Sequence, residues 1–69
     1  MPVRLKVKEI AEQKGFSQGL LGRKANVDVR TMRKIYRDPH ASITLVVLGR
    51  LAEALSVDAS ELIESSSDG

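Results

Sequence analysis

A helical spacing of apolar residues, broken repeatedly by residues that cap or stop helices, constrains the fold of this chain more than any other feature. Its clearest instance is the segment 45–55, where apolar side chains recur three and four positions apart and form one stripe along a helix. The stripe consists of Leu45, Leu48, Leu51, Ala52 and Leu55. Because Thr44 can act as the N-cap, we predict a helix over residues 45–55.

Four further helices are predicted by the same reasoning, over residues 3–14, 18–25 and 29–37 and, as a shorter one, after residue 58. Each has residues suited to a helix end: Gly15 as a left-handed stop after the first, Ser17 and Asp28 as N-caps of the next two, and Asp58 with Glu61 as a capping box for the last. Five short helices with short connections and no strand predict an all-α, compact five-helix bundle.

The connection between the second and third predicted helices is short. Asn26 tolerates a positive φ better than most residues, so it can end helix two in a tight turn while Val27 points into the core. Gly22 lies in the middle of helix two, where glycine costs ~1 kcal/mol relative to alanine, and we interpret it as a point of close approach by another helix. The residues of helix three predicted to be buried are Met32 and Ile35, with Tyr36 half-buried.

The length and composition exclude several classes of protein. The chain has 69 residues and no cysteine. That length suits one domain, predicted over residues 1–64, followed by a serine-rich tail at 65–69 that we expect to be disordered. No nucleophile–base pair, metal-ligand spacing or phosphate-binding glycine motif is recognisable, so we predict neither an enzyme nor a cofactor. No apolar run approaches the ~18 residues of a membrane span, and the N-terminus lacks a signal-peptide core, so we expect a cytoplasmic protein.

The charge is distributed unevenly along the chain. Residues 1–40 hold ten Lys and Arg against four Asp and Glu, which gives +6, whereas residues 41–69 hold one against five, which gives −4. Six of the basic residues lie between positions 23 and 37, where there is one acid. Such an asymmetry attracts a polyanion to one end of the molecule and orients the two partners.

Two groups of residues, in this order and spacing, resemble phage repressor and Cro-type helix-turn-helix DNA-binding domains. The first group is Phe16-Ser17-Gln18, Leu21, Ala25-Asn26-Val27-Asp28, Thr31-Met32 and Ile35, and the second is Thr44-Leu45, Leu48, Leu51-Ala52, Ala54-Leu55, Val57 and Glu61-Leu62. The resemblance covers residues 4–63. It implies a lambda-repressor-like fold in which helices two and three form the helix-turn-helix.

The sequence departs from the family pattern at three places. Asn26 stands where the turn usually has glycine, and Gly22 stands where helix two usually has alanine. The connection over residues 38–44 is longer than is common and carries Asp38-Pro39 in place of a glycine-containing turn. This connection normally lies near the DNA backbone, so its contacts are the least defined part of the resemblance.

In such a domain helix three enters the major groove, and the resemblance implies five base-reading residues: Asp28, Val29, Arg30, Arg33 and Lys34. Arg30 can donate two parallel hydrogen bonds to guanine, and Val29 can pack on a thymine methyl group. Asp28 can accept a hydrogen bond from cytosine, unless its carboxylate is occupied as an N-cap. The alternative is that the charges form only the solvated face of an amphipathic helix.

The resemblance also places four residues at DNA phosphates: Ser17, Gln18, Arg37 and His40. Gln18 and the first amide groups of helix two can hold one phosphate, although Gln18 can equally be an ordinary polar residue of a first turn. Ser17 is first of all a cap. For His40 the alternative is an exposed loop histidine that binds nothing.

The sequence therefore predicts a transcriptional regulator of the repressor type that binds double-stranded DNA through residues 29–37. Two alternatives stay open: a helical module that binds another protein through exposed apolar residues such as Leu20 or Val46, and the DNA-binding antitoxin of a toxin–antitoxin pair. One recognition helix reads few base pairs. A weak or DNA-assisted homodimer is therefore expected, with Val46 and residues 57–63 as its candidate contact and a monomer as the alternative.

Overall fold

Four α-helices form the body of the protein: α1 (Val7–Gln13), α2 (Gln18–Ala25), α3 (Val29–Arg37) and α4 (Leu45–Leu55). A 3-10 helix (Ala59–Leu62) follows α4, and two short strands, β1 (Val3–Leu5) and β2 (Ile63–Ser65), pair in antiparallel orientation. The computed structural model describes residues 3–65. Among these residues no helix has the length and apolarity that crossing a membrane requires.

The predicted bounds of α2, α3 and α4 are confirmed, and the N-cap side chain of each accepts the hydrogen bond that its sequence position implies. The hydroxyl oxygens of Ser17 and Thr44 accept from the amides of Leu20 and Val47, both at 3.2 Å. Gly15 has a φ of 79° after α1, which is the left-handed conformation of a helix stop. As a result α2, α3 and α4 begin and end at the predicted residues.

The prediction of an all-α bundle of five helices is wrong at the two ends of the described chain. Residues 3–5 form β1 instead of the first turn of a helix, and α1 begins at Val7. Strand β2 pairs with β1 in the register Val3↔Ser65, Arg4↔Glu64 and Leu5↔Ile63. The predicted fifth helix is a single 3-10 turn, because the chain must reach the extended conformation of β2 at Ile63.

Of the predicted tail, residues 65–69, only the first residue lies among the described residues. Ser65 lies in β2 opposite Val3, so the ordered chain extends at least to this residue. The remaining tail residues, 66–69, lie outside the described residues, as do residues 1–2.

The core is aliphatic and lies between the four helices and β1. No polar or charged residue among those described is buried. The buried residues are Leu5, Val7, Ala11, Leu21, Ala25, Val27, Met32, Ile35, Leu51, Ala52, Ala54, Leu55 and Leu62. Leu45 was expected in the buried stripe of α4, but it is 84% exposed because it is the first residue of α4 and projects ahead of the core. Tyr36 is partly buried, as expected.

The close approach predicted at Gly22 is confirmed, and the approaching helix is α3. A Cβ at Gly22 would lie 3.0 Å from Cγ of Met32 and 3.3 Å from the carbonyl oxygen of Val27. Both distances are shorter than an ordinary carbon contact of about 3.5–4.0 Å. Residue 22 therefore limits how closely α2 and α3 can pack.

Replacing Gly22 with valine should lower the free energy of unfolding by about 1–3 kcal/mol, the usual cost of adding methyl groups to a packed contact. Gly49 provides the matched control because it also lies within a helix, α4, and has no atom within 4 Å of the added Cβ. Gly49→Val brings the same small gain in helix propensity over glycine without the close contact, so it should leave stability unchanged or slightly raised. Urea unfolding of both variants measures the difference, and equal stabilities would contradict the close approach.

Ser56 ends α4 in a conformation that the sequence did not predict. Its φ is 58°, in the left-handed region, and its amide donates to the carbonyl of Glu53 at 3.2 Å. Residues with a Cβ are strained in this region, whereas glycine is not.

Ser56→Gly should therefore raise the free energy of unfolding by about 1 kcal/mol, since it removes this strain and keeps the backbone hydrogen bond. Ser42→Gly is the control, because Ser42 is also exposed but has no positive φ. There the added freedom of the unfolded chain should lower stability. Thermal unfolding followed by circular dichroism distinguishes the two, and a loss of stability in both variants would show that Ser56 is not strained.

Candidate nucleic-acid interface

The turn between α2 and α3 fixes the relative direction of the two helices. Asn26 has φ 58° and ψ 45°, the left-handed conformation predicted for it. The next amide, that of Val27, donates to the carbonyl of Gly22 at 2.9 Å, and the Val27 side chain is 9% exposed. The turn thus closes the end of α2 and buries its middle residue, which leaves α3 free to start immediately at Val29.

Asp28 caps the first turn of α3 with both of its carboxylate oxygens. One accepts from the Thr31 amide at 3.2 Å and the other from the Thr31 hydroxyl at 2.6 Å. Hydrogen bonds from the Thr31 hydroxyl, and then from its amide, hold the pKa of Asp28 below its ordinary value. Asp28 is therefore a cap in this structure, and any base contact would have to use the lone pairs that remain.

The exposed face of α3 is a stripe of four cations. Arg30, Arg33, Lys34 and Arg37 are all exposed and are spaced by three and four positions, so they lie on one side of the helix. The opposite side carries Met32 and Ile35, which are 2% and 3% exposed. We call these four residues the basic stripe.

The cations of the basic stripe make no ion pair or hydrogen bond with another side chain of residues 3–65, whereas three basic residues elsewhere, Arg4, Lys24 and Arg50, have partners. Arg4 binds Glu9 at 2.6 Å and Glu64 at 3.1 Å. The Lys24 ammonium lies 5.3 Å from the centre of the Phe16 ring, within the range of a cation–π contact. One side of α3 thus gathers four cations that have no ion-pair partner among the described residues.

Val29 lies at the start of α3 beside a small cleft. Its side chain is 63% exposed. The cleft holds about 70 Å³ and is lined by residues from both helices: Gln18, Gly19, Gly22, Arg23, Val27, Val29 and Met32. The structure therefore brings the predicted base-reading residue Val29 and the predicted phosphate-binding residue Gln18 to the same surface.

The N-terminus of α2 has amide groups to offer an anion. The first amides of a helix have no acceptor within it, and the Ser17 hydroxyl satisfies only that of Leu20. The amides of Gln18 and Gly19 remain, next to the Gln18 side chain. Ser17 itself is engaged as the cap, which was its first predicted role.

Arg37 and His40, the two remaining residues predicted to contact phosphates, lie in different surroundings. Arg37 ends α3 and belongs to the basic stripe. His40 lies against β1 instead: one of its ring nitrogens, Nδ1, is 3.2 Å from the carbonyl oxygen of Val3, and its amide donates to the Asp38 carboxylate at 3.0 Å. His40 therefore holds the 38–44 connection to the strand, and its Nε2 is the ring nitrogen left for another partner.

Two residues that shape this surface were missed in the sequence. Thr31 completes the cap of Asp28, and its position three residues after an N-cap was the available signal. Arg50, from α4, donates to the carbonyl oxygen of Asn26 at 3.3 Å and so ties α4 to the turn. Arg50 is the single basic residue between positions 41 and 69, and this was the available signal. Nothing in the sequence pointed to the turn as its partner.

A comparison with protein-family models identifies the domain that carries this surface. The model of the Cro/C1-type HTH DNA-binding domain matches residues 6–68. No curated protein and no solved structure matches the chain. Since the match spans nearly the whole sequence, including both helices of the turn and the basic stripe, the chain belongs to the Cro/C1-type HTH DNA-binding domain family.

Proposed function

We propose that this protein is a sequence-specific transcriptional repressor that reads the major groove of double-stranded DNA with α3. The observation that carries the proposal is the basic stripe, four exposed cations without partners among the described residues, on the helix that follows the Asn26 turn. Such charges repel one another on a helix, and a polyanion in contact with that face would neutralise them.

In this proposal the base-reading residues lie in the first two turns of α3. Arg30 donates two hydrogen bonds to a guanine, and Lys34 and Arg33 contact guanine or a phosphate. Val29 packs against a thymine methyl group at the mouth of the cleft that it shares with Gln18. Asp28 mainly holds the helix start in place, and it reads cytosine only through lone pairs that Thr31 leaves free.

The phosphate contacts come from both sides of this reading surface. Gln18 and the first amides of α2 bind one phosphate, with Ser17 fixing the helix start. Arg37 binds a second phosphate beyond the end of the groove contact. The contact of His40 with a phosphate uses Nε2, because Nδ1 faces the carbonyl oxygen of Val3.

Selection from a pool of randomised duplexes, followed by fluorescence anisotropy at two salt concentrations, tests the proposal. We expect one sequence to be enriched and log K to fall with log salt, each neutralised phosphate adding about −0.9 to the slope. Binding of all duplexes with equal affinity would contradict sequence-specific reading. No binding even at low salt would move the function to the protein-binding alternative, for which Leu20 and Val46, 47% and 63% exposed, are the contact candidates.

Arg30→Ala should weaken binding to the selected duplex by about 1–3 kcal/mol and relax the preference at one base pair. Lys14→Ala is the charge-matched control, since Lys14 is exposed at the end of α1, outside the basic stripe. The Lys14→Ala variant should lower the affinity slightly and leave the base preference unchanged. An equal loss on every duplex for Arg30→Ala would show that Arg30 binds the backbone.

Gln18→Ala gives the complementary result, because a phosphate contact carries no sequence information. The variant should weaken binding to selected and unselected duplexes by the same factor. A change of base preference would contradict the assignment of Gln18 to a phosphate.

A further inference from the structure

The cleft between α2 and α3 has an apolar floor. The floor is formed by Gly22, Val27 and Met32, which are all buried. A water molecule inside a protein is held by two to four polar partners, and none of these three side chains carries a strong hydrogen-bond donor or acceptor. An apolar group therefore suits this floor better than water does.

The volume of the cleft limits the size of the group that can enter it. The cleft holds about 70 Å³, whereas an apolar cavity that binds benzene measures about 150 Å³ and one water molecule takes about 30 Å³ of the liquid. The cleft thus admits a group of one or two heavy atoms, such as a methyl group, and excludes an aromatic ring.

The cleft opens on the surface that we propose for DNA. Val29, the first residue of α3, lies on its rim and is 63% exposed, and Gln18, the first residue of α2, lies on the rim as well. In the proposed function Val29 contacts a base and Gln18 a phosphate, so the cleft faces the edges of the bases. The methyl group that the standard bases present in the major groove is the C5-methyl of thymine, and 5-methylcytosine carries the same group at the same ring position.

We propose that the cleft is a binding site for the C5-methyl group of a pyrimidine in the major groove. At one base pair the protein then distinguishes thymine from uracil, and 5-methylcytosine from cytosine, by the methyl group alone. The inference rests on the proposed function and deepens it, because the methyl group enters a cleft of defined size between two helices instead of only touching Val29.

Gly19 keeps the cleft open in this proposal. Gly19 and Gly22 lie three positions apart on one side of α2, and both line the cleft. Packing against Met32 explains Gly22, but a Cβ at Gly19 would have no atom within 4 Å. Packing of the helices therefore does not require a glycine at position 19, although glycine is among the least favourable residues in a helix. The space that a side chain would take at this position is the space left for the base.

The experiment compares matched duplexes that differ by one methyl group. In the sequence selected as described above, each thymine is replaced singly by uracil and each cytosine by 5-methylcytosine, and fluorescence anisotropy gives the affinity. At one base pair of the sequence that each protein molecule contacts, we expect uracil to bind about fourfold more weakly than thymine, which corresponds to the burial of one methyl-sized group. A cytosine placed at that base pair should gain about fourfold in affinity when it is methylated.

Gly19→Leu fills the cleft from its rim without a clash in the protein, so the thymine-to-uracil affinity ratio should fall from about four towards one. Gly49→Leu is the matched control, because it makes the same change in α4, away from the cleft and also without an atom within 4 Å. The control should keep the ratio at about four. Gly19→Ala, which adds a single methyl group, should lower the ratio as well and keeps it measurable if leucine abolishes binding.

Three results would overturn the inference, and they separate it from the proposed function. Sequence-specific binding with equal affinities within every thymine–uracil and cytosine–methylcytosine pair would overturn the methyl site and leave the proposed function standing. A ratio of about four that persists in both variants at position 19 would show that the methyl group is bound outside the cleft. The absence of any enriched duplex would overturn the proposed function and the methyl site together.

Discussion

The contact between Gly22 and Met32 is the constraint on which the geometry of the functional surface depends. It lets α3 approach α2 closely enough for a three-residue turn to connect them, and Asn26 adopts the positive φ that such a turn needs. Val27, buried within the turn, then fills the space below it. With the inner side of α3 fixed in this way by Met32 and Ile35, the cations of the opposite side can point only to solvent.

The two-stranded sheet holds in place the connection that follows α3. Strand β1 binds β2 along one edge and the residues after α3 along the other, through Pro39 and His40. The 38–44 connection is therefore anchored to β1 at its start, by the carbonyl of Pro39 and the ring of His40. Arg50 anchors the opposite end of α3 by binding the carbonyl of Asn26. Helix α3 is thus supported at both ends by elements distant from it in sequence.

The features that the sequence predicts well are those that one side chain and its neighbouring backbone determine. The caps at Ser17, Asp28 and Thr44, and the left-handed turn at Asn26, were predicted from residue type and position because each hydrogen bond closes within a few residues. The buried residues of α3 follow from the same local periodicity. The base and phosphate assignments go further than this local chemistry and remain proposals.

The features that the sequence did not predict depend on partners far along the chain. The segment from Val3 to Val7 alternates apolar and basic residues, which fits a strand, but its apolar residues also fit the helical spacing that continues into α1. The choice is made by β2, about sixty positions away, which pairs with β1 in antiparallel orientation. Leu45 shows the same limit: the stripe of α4 was predicted correctly, but how far the core reaches along it depends on the neighbouring helices.

The basic stripe links the stability of α3 to the DNA binding that we propose for it. Four cations spaced by three and four positions repel one another, and each such pair costs an isolated helix about 0.2–0.5 kcal/mol. The helix persists because Met32 and Ile35 bury its inner side and because Asp28 caps its start with both oxygens. The Asp28 carboxylate attracts Arg30 at a distance, but no carboxylate of the described residues forms an ion pair with any of the four cations. A row of phosphates would relieve the repulsion on the outer side, so the arrangement that is least favourable in the free protein is the one that a DNA backbone stabilises.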